Sequence, residues 1–105
     1  VKPSRSDAGC RRLDEWRNLP HELAPSSGKS VAALRRTARL QAAGVRGSLA
    51  SSSDEDTGRS LQLIADDLNA YHAALQTQDG TVAQDTLTAL DAHGADLATS
   101  CGRRP

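Results

Sequence analysis

The chain has no Phe and no Met, and its only large aromatic residues are one Trp (Trp16) and one Tyr (Tyr71). A core of 105 residues built without them draws its bulk from Leu and its close backbone approaches from Ala. Both are strong helix formers, and the strand-favouring residues are scarce. No run approaches 18 apolar residues, so no stretch reads as a membrane-spanning helix. Two cysteines are too few for a structural zinc site.

The residues that are present repeat at helical spacing. Thr81–Cys101 places Ala83, Leu87, Leu90, Gly94, Leu97 and Cys101 on one face. Leu61, Ile64, Leu68, Tyr71 and Leu75 do the same for a helix over about 58–78, and Val31, Leu34, Ala38, Ala42, Val45 and Leu49 for one from about 30 to 43–49. Gly44 and Gly47 weaken the last turns of that second helix. A shorter first helix runs from Ser6 or Asp7 to about Leu19, with Cys10, Leu13 and Trp16 inside; Pro20 ends it or opens one more turn to Leu23. Ser52 with Glu55, or Ser53 with Asp56, caps the third helix, and Thr81 with Gln84 caps the fourth.

Short links favour an all-α, antiparallel up-down four-helix bundle with a short first helix. That topology brings the start of helix one and the end of helix four to the same end of the molecule. Cys10 and Cys101 sit at those two places on inner faces, and the pattern predicts a disulfide that staples the bundle. Counting from that staple sets Trp16 level with Gly94 or Ala95, and Trp16 is expected to pack over Gly94, whose missing side chain makes room. Residues 1–6 read as a mobile lead, 7–101 as a single domain and 102–105 as a tail with Gly102 ending the helix. The start Val1-Lys2-Pro3-Ser4 looks like a processed end.

Net charge is zero, but residues 1–50 carry ten basic and four acidic side chains, and residues 51–105 carry three and nine. Basic helices beside acidic ones account for this, since a neutral molecule gains little long-range steering toward nucleic acid. Arg35, Arg36, Arg39 and Arg46 on the second helix form the candidate partner-binding face. His93 comes level with Asp67 on matching flanks of helices three and four, as a polar pair or as two solvated groups.

Catalytic signatures fail one by one. Gly28-Lys29-Ser30 lacks the Gly five positions earlier that a phosphate-binding loop needs, because Leu23 stands there. The three histidines share no ligand spacing, and the Glu-x-x-His steps of a di-iron bundle are missing, so no cofactor or metal is expected. Asp7-Ala8-Gly9-Cys10 lacks the apolar lead of a lipoprotein processing site. A helix-turn-helix opening at Ser60 lacks its turn glycine.

The Arg-over-Lys bias, the Ala/Arg/Leu/Asp-rich helices, the early Cys10…Trp16 segment and the closing Ser100-Cys101-Gly102 together resemble the small secreted or lipoprotein-type helical proteins of high-GC Gram-positive (actinobacterial) bacteria. That resemblance is compositional and implies an extracytoplasmic bundle. The expected function is non-enzymatic binding of a protein partner or small ligand at the cell envelope. The alternative is a cytosolic nucleic-acid-associated protein using the same arginines.

Overall fold

A computed structural model describes residues 7–102; residues 1–6, and Arg103 to Pro105 of the tail, lie outside the described residues. The chain forms α1 (Leu13–Glu22), α2 (Val31–Ser51), α3 (Glu55–Gln76) and α4 (Gly80–Gly102), preceded by a 3-10 turn at Ala8–Cys10. α3 packs against both α2 and α4, and α1 lies along α4. The result is an all-α bundle of 46 × 20 × 19 Å, with no strand among the described residues.

Each apolar stripe turns inward. Trp16, Leu19 and Leu23 from the α1 region enter the same buried cluster as Leu34, Ala38, Ala42 and Val45 of α2. Leu61, Ile64, Ala65, Leu68 and Tyr71 of α3 meet Leu87, Leu90 and Leu97 of α4. A fully buried Leu contributes about 1.5–3 kcal/mol, so these leucines supply the main driving force in place of aromatic rings. Val31 departs from its expected inner position and is 54% exposed, because it is the first residue of α2 and lies beyond the packed layer.

Helix boundaries differ from the sequence reading in informative ways. α2 runs through Gly44 and Gly47 to Ser51. At Gly44 an added Cβ would lie 3.1 Å from Trp16 Cη2 and 2.7 Å from Arg12 Nη1. The missing side chain therefore admits the indole, and packing offsets the helix-propensity cost. This corrects the expectation that Trp16 packs over Gly94: a Cβ added there would meet Arg17 first, 3.6 Å from its Cδ. The level was right but the rotation was wrong by one residue, or about 100° around α1.

α1 passes through Pro20 and ends at Glu22. Asp54, not Ser52 or Ser53, caps α3 by accepting from Thr57 N at 2.9 Å. Asp79, not Thr81, caps α4 by accepting from Val82 N at 3.0 Å. Asp54 lies one or two residues after the expected serines and Asp79 two residues before Thr81, and each places a carboxylate at the positive end of a helix dipole.

Cys10 and Cys101 form the disulfide, with Cα atoms 5.8 Å apart across 91 residues of sequence. Beside it Asp7, 9% exposed, gathers a network the sequence did not reveal. Its Oδ1 accepts from Ser53 N (2.7 Å), Ser53 Oγ (2.9 Å) and Asp54 N (3.1 Å). Its Oδ2 accepts from Gly9 N (2.9 Å) and Ser52 Oγ (2.7 Å). The serines expected to cap α3 thus tie the start of the domain to the α2–α3 link.

Candidate functional site

α2 contains four arginines and neither Asp nor Glu. Ser30 starts the helix by accepting from Ala33 N at 3.1 Å, which sets the rotation of everything after it. With Leu34, Ala38, Ala42 and Val45 turned into the core, Arg35 and Arg39 fall one turn apart on the flank facing α3, and Arg36 and Leu40 fall further out.

Arg35, Arg36 and Arg39 line one open groove of about 500 Å³, together with Ala32, Leu40 and His72 of α3. None of these arginines makes an ion pair or hydrogen bond to another described residue, and Arg35 Nε is shielded from solvent with no acceptor. Burial lowers the His72 pKa, and the charges of Arg35 and Arg39 lower it further. The groove is therefore a concentration of positive charge that resists adding one more cation. Leu40, 67% exposed, supplies an apolar contact on its rim.

Arg46 lies outside this groove, nearly two turns beyond Arg39 on the same flank of α2, and is exposed. Sequence reasoning grouped the four arginines but missed His72 and Leu40. The four-residue step from Arg36 to Leu40 was available in the sequence, whereas the approach of His72 depends on the rotation of α3.

His93 Nδ1 lies 2.5 Å from Asp67 Oδ2, and both side chains are largely shielded. Burial pushes the Asp67 carboxyl above its ordinary range, and the His93 contact pulls against that shift without cancelling it. The contact ties the middle of α3 to α4. Elsewhere, Arg12 pairs with Glu15 and covers the Trp16 ring at 4.3 Å from its centroid.

Among the described residues no group of three or more His, Cys, Asp or Glu is placed to hold a metal ion, and no helix is long and apolar enough to cross a membrane. Fold and site together define a disulfide-stapled helical bundle with a cationic groove on its second helix. No protein-family model, curated protein or solved structure matches this chain.

Proposed function

We propose that this is a non-enzymatic helical-bundle protein that works outside the cytoplasm and binds a partner or small ligand at the cell envelope through the cationic face of α2. The observation that carries the reading is the unpaired cluster of Arg35, Arg36 and Arg39 around one groove with His72. Guanidinium groups with no carboxylate partner among the described residues are available to an anionic partner, which they can bind through paired hydrogen bonds. The disulfide is the support for the compartment, since such bonds persist in oxidising surroundings.

The test places a photo-cross-linking residue at Leu40 in cells of the native host. A discrete adduct that disappears in an Arg36→Glu/Arg39→Glu double variant supports the reading. An adduct indifferent to both arginines contradicts it. The alternative, binding of duplex DNA or RNA by the same arginines, predicts retention of nucleic acid near 0.15 M salt with a steep salt dependence. Loss of all retention at that salt removes the alternative.

A further inference from the structure

Arg35 is shared by two adjoining cavities of different character. On one side lies the cationic groove with Arg36, Arg39 and His72. On the other is a cavity of about 430 Å³ between the start of α2 and the α3–α4 turn, lined by Val31, Ala74, Leu75 and Ala83 among others. Both volumes fall in the range of small-molecule sites. The second cavity also borders Asp79. That carboxylate caps α4 through Val82 N, so a negative charge is fixed at the end opposite Arg36 and Arg39. The combined groove thus runs from Arg36 and Arg39, over Arg35, along an apolar wall to the Asp79 carboxylate.

This polarity selects a ligand and its direction. An anionic head group is drawn to Arg35, Arg39 and His72 and repelled by Asp79, and an alkyl chain can lie along Val31, Leu75 and Ala83. No Phe, Tyr or Trp side chain lines either cavity. We infer that the paired cavities form a binding site for a single-chain amphiphilic anion, an alkyl phosphate or carboxylate, held by Arg35 and Arg39 at its head and by Val31 and Leu75 along its chain. The inference rests on the cationic-face reading above and adds the chemical class of the ligand.

The experiment titrates the oxidised protein, followed by amide and histidine NMR signals, with inorganic phosphate, octyl phosphate and decyl phosphate below their micelle concentrations. Decyl phosphate is expected to bind at least tenfold more tightly than inorganic phosphate, with about two- to fourfold gained per methylene buried. Its shifts should cover 31–40 and 72–83. The titration midpoint of His72, assigned with His72→Gln, should rise on binding, because a bound anion offsets the charges of Arg35 and Arg39. Arg39→Gln, at an exposed position, should weaken all three probes, and Val31→Ser should flatten the dependence on chain length.

Equal affinity for inorganic and decyl phosphate overturns the amphiphile site but leaves the cationic face standing. Absence of any shift at His72 with all three probes overturns both. Association with anionic phospholipid vesicles, without binding of monomeric decyl phosphate, also contradicts the proposal, because it assigns the arginines to a surface and not to a single ligand.

Discussion

At one end of the bundle a disulfide and a nearly buried carboxylate join the Ala8–Cys10 turn, the α2–α3 link and the end of α4. At the other end Leu23 is buried and its carbonyl accepts from Tyr71 Oη at 2.5 Å, while the neighbouring turns leave an apolar cavity open. The first end is held by a disulfide and several hydrogen bonds that span 45 or more residues of sequence; the second has the single Tyr71–Leu23 bond of that kind and is held mainly by side-chain burial. A small core built on leucine and alanine has limited burial energy, so concentrating covalent and polar ties at one end frees the other to keep exposed arginines and unfilled space.

The comparison is broken most strongly at the disulfide. A Cys10→Ser/Cys101→Ser variant should lose about 4–5 kcal/mol, the cost of reopening a loop of roughly 90 residues, read by urea unfolding. A loss below about 1 kcal/mol would show that burial alone holds both ends.

Next comes Asp7. Burial works against its charge, but hydrogen bonds from Ser52, Ser53 and Gly9 outweigh it and hold the pKa at about 2 against an ordinary 3.8. The folded-state value is the lower one, so the stabilisation is fully present above the unfolded value and is lost as pH falls from about 4 to about 2. Asp7→Asn should therefore cost about 2 kcal/mol at pH 7. It should also flatten stability across that acid range, measured by thermal unfolding at stepped pH.

At the same end an added Cβ on Gly9 would lie 2.8 Å from Leu61 Cδ1, 2.9 Å from Asp7 Oδ2 and 3.0 Å from Thr57 Cγ2. Gly9→Ala should cost about 1–3 kcal/mol through overpacking, by the same unfolding measurement. The open end is less sensitive. Tyr71→Phe, which leaves the Leu23 carbonyl without its donor, should cost about 1 kcal/mol. Smallest of all, Arg36→Gln should change stability by less than about 0.5 kcal/mol while weakening anion binding, which separates the groove from the fold.

Sequence pattern carried far into this molecule where local periodicity decides the outcome. The three- and four-residue steps of Leu61–Leu75 and Ala83–Cys101 specify helices and their inner faces without reference to distant residues. The pairing of Cys10 with Cys101 followed from topology, because antiparallel packing leaves those two inner positions at one end. Apart from the caps of α3 and α4, where a neighbouring aspartate displaced the expected Ser or Thr, what failed depended on rotation about a helix axis or on contacts across the sequence. Trp16 turned to Gly44 and Arg17 to Gly94, since adjacent residues on α1 point about 100° apart and level alone cannot choose between them. Asp7 resembled any helix-capping acid, and its partners Ser52, Ser53 and Asp54 lie 45 to 47 residues away. Within the candidate site the arginines were legible from their spacing on α2, but His72 joined them only through the packing of α3.

The central claim, a bundle stapled at one end by the Cys10–Cys101 disulfide, is tested most directly by the mass of the protein isolated from its native host. Free thiols are alkylated at once, before and after reduction. The account predicts no alkylation of Cys10 or Cys101 until reductant is added, then two alkyl groups per chain. Two thiols that react freely in the protein as isolated would contradict it.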